Sequence, residues 1–253
     1  YKYYQIFSYA NCYCQKINNK YKNSIFLFYL NKRGKMKKIN NDKEFERLLN
    51  DEHFRVTIFG SARVQKNDII YKQIYSLAKM VGERGIDVVT GGGPGIMEAA
   101  TSGHKSGSSK TKAHSIGLGI KLPHEQGFNE YVGYKKEFNR FSNRLDNFML
   151  LSNIVVVAPG GVGTLLELFY TWQLMQVKHI CHIPIILLGE DWKGLLEWLK
   201  NSPLKKGFFN DNDYQLLYLA KSENEAIKLI EKAFDEFKKG NKAFCLNYKK
   251  YKI

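Results

Sequence analysis

A single glutamate, Glu167, lies inside the glycine-rich segment PGGVGTLLELF at residues 159–169. The preceding NIVVVA is short, apolar and β-branched, which is typical of a buried strand, and the residues after the glycines have apolar side chains at helical spacing. A glycine turn between a strand and a helix directs free N–H groups and the positive end of the helix dipole at the space above it. The pattern predicts an anion site, most often for phosphate, with a carboxylate beside it.

Glu167 also has a purely structural interpretation. Thr164 and Glu167 have the spacing of a capping box at the first turn of the helix, in which the threonine caps the helix and the glutamate accepts a hydrogen bond from a backbone N–H. A carboxylate beside a phosphate site repels the ligand unless it takes part in the chemistry, which favours a catalytic role. The two roles are compatible only if the carboxylate faces the ligand.

A second glycine turn, TGGGPGIME at residues 90–98, follows another apolar run and also opens a helix. In open parallel sheets, ligands bind beyond the carboxyl ends of the strands, where the strand order reverses. One such turn could be a tight connection, but two indicate a phosphate-bearing ligand. The glycine spacing does not match the GxGxxG dinucleotide fingerprint, and GHKSGSSKT at residues 103–111 does not match a P-loop.

These turns belong to an alternation of strands and helices that begins near residue 54. The predicted strands are FRVTIFG, IDVVTGGG, HSIGLGI, YVGYKKEF, NIVVVA and IPIILLG, and the last predicted helix is ENEAIKLIEKAFDEF. Apolar strands that alternate with amphipathic helices form a parallel sheet covered on both faces. We therefore predict one doubly wound, Rossmann-like α/β domain over residues 36–240, with a flexible loop at residues 106–112.

The formal net charge of +15 is concentrated at the two ends of the chain. Residues 1–35 contain seven Lys or Arg, residues 238–253 contain six Lys, and neither segment has an acid, so the residues between them carry only about +2. A nucleic-acid-binding face is therefore not supported for the folded part. We interpret residues 1–35 as a disordered or non-native extension, since Met36 resembles a natural start, and residues 241–253 as a basic tail.

The sequence gives no indication of a membrane or secretory segment. The apolar run SIFLFYL at residues 24–30 is too short to span a bilayer, and no small-residue cleavage site follows it. Cys12-x-Cys14 has no matching second pair among the four cysteines, so neither a zinc site nor a disulfide framework is indicated. We expect a reduced, cytoplasmic protein.

Together, the motifs resemble those of the LOG ("Lonely Guy") family, whose members are often labelled lysine decarboxylase-like. PGGVGTLLE matches the family motif P-G-G-x-G-T-x-x-E, and GGGPGIMEA matches its other glycine turn. Arg144 lies fifteen residues before Pro159, the spacing expected of the family's active-site arginine. The match covers roughly residues 54–235. It implies a nucleoside 5′-monophosphate phosphoribohydrolase that releases a free base and ribose 5-phosphate, needs no metal or cofactor, and is at least a homodimer.

The resemblance implies a role for individual residues. Glu167 would be the catalytic carboxylate that meets the positive charge developing on the ribose, and Arg144 would be its partner. The residues implied to bind substrate and phosphate are Gly60, Ser61, Gly91, Gly92, Gly93, Gly160, Gly161, Gly163 and Thr164. Cytokinin-activating members usually have Arg-Lys where this chain has Arg144-Leu145, and two glutamates where it has Leu166-Glu167. The Arg-Leu pair is instead similar to that of general nucleotide nucleosidases, so the preferred base stays open.

Two other functions are open on the same motifs. A non-catalytic carrier of a nucleotide-like cofactor would use the same fold and hold its ligand without turnover. A pyridoxal phosphate decarboxylase would need a lysine for its Schiff base, and no lysine lies in either glycine turn or just before them. The apolar face of TWQLMQV, residues 171–177, would serve equally as a dimer interface or as core.

Overall fold

The structure is a computed structural model that describes residues 45, 47–48, 52–121 and 127–239. The extension predicted for residues 1–35 and the basic tail predicted for residues 241–253 lie outside the described residues. Both interpretations therefore stay predictions.

The described residues form one parallel sheet of seven strands. The strands are β1 Arg55–Phe59, β2 Asp87–Thr90, β3 Ser115–Ile120, β4 Tyr134–Phe138, β5 Ile154–Val157, β6 Ile185–Leu188 and β7 Leu217–Ala220. Their order is β4-β3-β2-β1-β5-β6-β7, and every neighbouring pair is parallel. The predicted doubly wound α/β fold is confirmed, and the strand order reverses between β1 and β5.

Helices cover both faces of this sheet. They are α1 Ile69–Glu83, α2 Ile96–Gly107, α3 Phe141–Leu151, α4 Val162–Gln176, α5 Lys193–Leu199, α6 Asp211–Tyr214 and α7 Glu223–Lys238. Successive side chains of a strand point to opposite faces. On one face, Ile58 of β1 packs in a core with α1, α2 and α7, and on the other face Phe59 packs in a core with α3, α4 and α5.

Hydrogen bonds made by side chains, in addition to the backbone hydrogen bonds of the sheet, join β1 to β5 at the centre of the sheet. The backbone N–H of Arg55 donates to Asn153 Oδ1 at 2.8 Å, and the hydroxyls of Thr57 and Ser152 lie 2.6 Å apart. Both strands are buried along their whole length, as expected for parallel strands covered on two faces. The apolar runs that predicted them reflect this double burial.

The flexible loop predicted over residues 106–112 is wrong. Gly107 is the last residue of α2, and residues 108–110 continue as a 3-10 turn. A Cβ on Gly107 would lie 2.8 Å from the carbonyl carbon of Lys79 in α1, so the glycine permits close helix packing. The hydroxyl of Thr111 then donates to Gly82 O at 3.1 Å. Small and polar residues here serve helix contact rather than mobility.

Two further findings concern the state of one cysteine and the search for a membrane-spanning helix. Cys181 is buried and disulfide-bonded, which contradicts the expectation of a reduced protein. The sequence offered no paired cysteine spacing from which this bond could be anticipated. Among the described residues, no helix combines the length and apolar content needed to cross a membrane.

Candidate active site

The predicted site residues gather at the carboxyl edge of the sheet, where the loops after β1, β2 and β5 meet. Ser61, just after β1, joins the other two loops through its backbone. Its N–H donates to Pro159 O at 3.2 Å, and its carbonyl accepts from the N–H of Ile96 at 3.0 Å. The structure thus brings the two glycine turns together around Gly60 and Ser61, at the reversal of strand order where open sheets bind ligands.

Arg144 and Glu167 form an ion pair at this edge. Arg144 Nη1 lies 3.5 Å from Glu167 Oε1, and each side chain is only 12% exposed. The Arg144 Nε–H donates to the carbonyl oxygen of Leu118 in β3 at 2.7 Å, and the guanidinium carbon lies 5.1 Å from the centre of the Phe148 ring. These contacts fix the guanidinium, so that it holds the carboxylate in one place.

The surroundings of Glu167 change its protonation near neutral pH. Burial raises the pKa of the carboxyl group from 4.5 to about 7, and the positive charge of Arg144 opposes that rise. A carboxyl group with a pKa near the working pH can be ionised or protonated at little cost, as acid–base and charge-stabilising catalysis requires. An exposed carboxylate is not desolvated in this way.

The capping-box interpretation of Thr164 and Glu167 is wrong. Helix α4 begins at Val162, with Gly161 in the N-cap position, and no described side chain caps it. Thr164 is only 4% exposed and packs under Gly160, where an added Cβ would lie 2.6 Å from Thr164 Cβ. Glu167 therefore lies in the second turn rather than the first, and its carboxylate is directed to Arg144.

The first N–H groups of α4 remain available for an anion. The initial N–H groups of any α-helix have no partner within the helix itself. A Cβ on Gly161 or Gly163 would meet no atom within 4 Å, so the backbone there is open to the surroundings. The arrangement suits a phosphate group, which N–H donors and the helix dipole would bind together.

A cavity of about 460 Å³ adjoins the other glycine turn. The described residues that line it are Ala62, Arg63, Gly91, Gly92, Gly93, Pro94, Met97, Gly119, Ile120, Lys121, Gly127, Phe128, Glu137 and Arg144. Glu167 and the turn after β5 are not among these lining residues, so Arg144 connects the cavity to the ion pair. Gly91 adjoins Arg144, because a Cβ there would lie 3.6 Å from the guanidinium carbon.

Two residues that were not predicted from the sequence, Phe128 and Asn129, also shape this cavity. The Asn129 side-chain amide donates to Gly92 O at 3.0 Å and to Gly93 O at 2.8 Å, and its oxygen accepts from the Thr101 hydroxyl at 2.9 Å. A Cβ on Gly92 would lie 2.8 Å from Phe128 Cε1, so the ring packs directly on the turn. Both residues lie between β3 and β4, in a connection that carries no recognisable motif.

This geometry can be compared with known proteins. Residues 88–230, which include both glycine turns, Arg144 and Glu167, match the family described as "Possible lysine decarboxylase". The chain belongs to this family. The resemblance found from the motifs is thereby confirmed.

Curated relatives of this chain are named as nucleotide-cleaving enzymes. The chain is 28% identical over 140 residues to "Pyrimidine/purine nucleotide 5'-monophosphate nucleosidase" of Escherichia coli (strain K12), which covers 53% of this chain and 30% of that protein. It is 27% identical over 188 residues to "Probable cytokinin riboside 5'-monophosphate phosphoribohydrolase LOGL3" of Oryza sativa subsp. japonica, covering 72% of this chain and 85% of that protein. The chain thus spans less than a third of the length of the bacterial relative.

Solved structures share the fold of the family. The molybdenum cofactor binding protein from Rippkaea orientalis superposes with a TM-score of 0.56 at 20% identity, covering 72% of this chain and 98% of that one. The molybdenum cofactor carrier protein from Chlamydomonas reinhardtii gives 0.53 at 20% identity, covering 72% and 99%. At 20% identity, this similarity shows a shared fold and nothing more.

Proposed function

We propose that the chain hydrolyses the N-glycosidic bond of nucleoside 5′-monophosphates and releases a free base and ribose 5-phosphate. The observation that carries the proposal is the buried pair of Arg144 and Glu167, 3.5 Å apart at the carboxyl edge of the sheet. The names of the curated relatives support the same reaction class. Because the chain spans only 30% of the bacterial relative, that protein's full activity is not carried over.

The proposed chemistry assigns charge stabilisation to Glu167. Cleavage of the bond builds positive charge on the ribose, and glycosidases meet such charge with a carboxylate. A carboxylate fixed by Arg144 and largely removed from water would interact strongly with that charge and would not need to reorganise. Above a pH of about 7 the group is mainly ionised, which is the form required.

Substrate binding is assigned to the two glycine turns. The N–H groups at the start of α4, with Gly160, Gly161, Gly163 and Thr164 around them, are proposed to bind the 5′-phosphate. Phosphate binding away from the reacting bond would supply the energy that positions the ribose against Glu167. The cavity beside Gly91, Gly92 and Gly93 has a volume suited to a small organic ligand, and Phe128 and Met97 offer it apolar walls.

The test is a base-release assay. The purified full chain is incubated separately with AMP, GMP, CMP and UMP, and free base and ribose 5-phosphate are measured. We expect release from at least one nucleotide and strongly reduced release by Glu167→Gln. The matched control is Glu197→Gln, which changes an exposed carboxylate on α5 and should retain activity. Absence of free base with all four nucleotides contradicts the proposal.

A non-catalytic carrier is the second candidate, favoured by one observation. The described residues that line the cavity include three cations, Arg63, Lys121 and Arg144, and one carboxylate, Glu137, but not Glu167, so an anionic ligand could be held there away from Glu167. A carrier predicts that a phosphate-bearing ligand is released when the protein is denatured, and that no nucleotide is turned over. Lys121 also lines this cavity, and an aldimine absorption band after addition of pyridoxal phosphate would indicate a decarboxylase instead.

A cytoplasmic homodimer completes the proposal. Trp172 and Met175 are buried in the core, so the face of TWQLMQV packs within the chain itself. The exposed apolar residues of α4 are instead Val162, Leu166 and Phe169, at 84%, 46% and 37% exposure, and their spacing places them on one side of the helix. A mass measurement in solution should give a dimer for the native chain and a monomer for Leu166→Glu, whereas a monomeric native chain contradicts this part.

A further inference from the structure

Three potential metal ligands meet at the edge of the sheet opposite the cleft. His53, Asp87 and His114 each offer one ligand atom, and these atoms all lie within 4.8 Å of one another. Asp87 is the first residue of β2, His53 lies two residues before β1, and His114 immediately precedes β3. The cluster therefore joins the amino ends of three neighbouring strands, far along the sheet from the residues assigned to nucleotide chemistry.

Strand register brings these side chains to one face. Asp87 is paired with Arg55 across the β1–β2 ladder, and Val88 is paired with Ser115 across the β2–β3 ladder, which sets His114 beside Asp87. Register partners in a parallel sheet point to the same face. The cluster thus follows from the pairing that builds the domain.

The Asp87 carboxylate is buried without a full set of partners. It is only 1% exposed, and among the described residues no hydrogen bond reaches its Oδ2 atom. Its Oδ1 atom accepts from the N–H of His114 at 2.8 Å, and Arg55 Nε forms an ion pair with Oδ2 at 3.7 Å, which is too long for a hydrogen bond. A buried carboxylate oxygen without a hydrogen bond is unfavourable, and a coordinated cation would satisfy it.

The distances within the cluster suit zinc. His53 Nδ1 lies 3.3 Å from Asp87 Oδ2, and His114 Nδ1 lies 3.6 Å from Asp87 Oδ1. Nitrogen and oxygen ligands bind Zn²⁺ at about 2.0–2.2 Å, and two such ligands at a tetrahedral angle are about 3.4 Å apart. The two imidazoles lie nearest different oxygens of Asp87, so the carboxylate would bind one ion through either oxygen or both. The imidazole side chains are 40% and 36% exposed, which leaves room for small rotations and lets water reach the ion.

We propose that His53, Asp87 and His114 bind one Zn²⁺ ion, with water in the fourth position. Two imidazoles and one carboxylate favour zinc or a similar transition metal over Mg²⁺ and Ca²⁺, which prefer oxygen ligands. The ion would fasten the segment before β1 to β2 and β3. The Arg55 guanidinium beside Asp87 opposes a second positive charge, so the site binds zinc more weakly than the same ligands would without that neighbour.

Zinc titration of the full chain tests this site. Protein stripped of metal by a chelator is titrated with zinc at pH 7.5 in competition with a chromophoric indicator, and thermal melting is followed with and without zinc. We expect one equivalent of zinc to bind and the melting temperature to rise with zinc. The variant with both His53→Gln and His114→Gln should bind at least roughly 100-fold more weakly and lose the melting shift, since ligands are removed. His182→Gln, an exposed histidine elsewhere, should behave like the native chain.

Several outcomes would overturn the proposal. One is the absence of zinc binding, and another is unchanged affinity in the double histidine variant, which retains every cysteine. Substitution with Co²⁺ separates the ligand types, because a thiolate charge-transfer band would assign the ion to cysteine rather than to this cluster. Binding of Mg²⁺ with equal affinity would also contradict it. Base release by the double histidine variant should equal that of the native chain, so failure of this site and failure of the proposed hydrolase are measured separately.

Discussion

Glu167→Gln tests the proposed role of the carboxylate most directly, because the substitution keeps the size of the side chain and removes its ionisation. Burial raises the pKa of Glu167 from 4.5 to about 7 despite the opposing charge of Arg144. The folded protein therefore binds this proton more tightly than the unfolded chain does. The protonated carboxyl group thus contributes to the free energy of unfolding. This contribution is fully present below pH 4.5 and is lost as the pH rises through about 7.

The size of this effect follows from the two pKa values. At about 1.4 kcal/mol per pH unit, their separation corresponds to roughly 3 kcal/mol, and roughly 2 to 3 kcal/mol of it is lost between about pH 5 and pH 8. Glutamine does not ionise, so the Glu167→Gln protein lacks this term. Relative to the variant, the native chain should lose that amount of unfolding free energy over the same interval.

Urea unfolding and base release measure the two consequences on the same samples. The native chain, Glu167→Gln and Glu197→Gln are unfolded in urea at about pH 5 and about pH 8. The contributions of all other ionisable groups cancel when a variant is compared with the native chain at the same pH. Native turnover should rise with pH through about 7 as the carboxylate forms. The turnover of Glu167→Gln should be lower by roughly 100-fold, with substrate binding little changed.

Two results would refute the reasoning about Glu167. Parallel stability curves for the native chain and Glu167→Gln would show that the carboxyl group titrates normally and is not desolvated. Equal turnover by the two proteins would show that the carboxylate only supports the structure. Glu197→Gln, the exposed control, should instead give a stability curve parallel to that of the native chain and equal turnover.

Three further substitutions probe the neighbours of the pair. Arg144→Ala removes the charge that lowers the Glu167 pKa, so turnover should fall and the rise in the pH–rate profile should move to higher pH. Gly92→Ala places a Cβ against Phe128 at a backbone φ of 77°, and urea unfolding should show a loss of about 1–3 kcal/mol. Asn129→Ala removes the amide donors to Gly92 and Gly93, and kinetics should show a higher KM with kcat changed much less.

Much of the fold could be predicted because each central strand is buried on both faces. Four-residue runs such as IVVV in β5 have no polar positions, and helices such as α1 and α7 show clear apolar periodicity. The strand LYLA at β7 was missed, since Tyr218 and its neighbour are partly exposed and the run is short. Helix α6 has only four residues and is organised by an Asn210–Asp213 capping box rather than by periodicity.

The candidate site was predictable only where its contacts are local in sequence. Glycine turns can be recognised in the sequence alone, and Arg144 and Glu167 were found by their spacing from one such turn. The start of α4 was misassigned because the Thr164 side chain is buried under Gly160, and that burial depends on backbone geometry. The Asn129 side chain donates to the carbonyl oxygen of Gly93 in the turn after β2, although the two residues are 36 positions apart. This contact exists only once β3 has paired with its neighbouring strands.

The central pairing of β1 with β5 affects how the chain reaches its active form. The hydrogen bond between Arg55 and Asn153 joins residues 98 positions apart, and the loops of the cleft meet only after such a contact exists. Closing a long loop lowers the chain entropy before stabilising contacts can form. Pairing across this distance is therefore slow compared with helix formation. During synthesis, β1 to β4 leave the ribosome with one edge of β1 uncovered until β5 arrives. Nucleotide would therefore bind only the completed sheet, and by mass action it would favour the fully folded chain over intermediates that lack this junction.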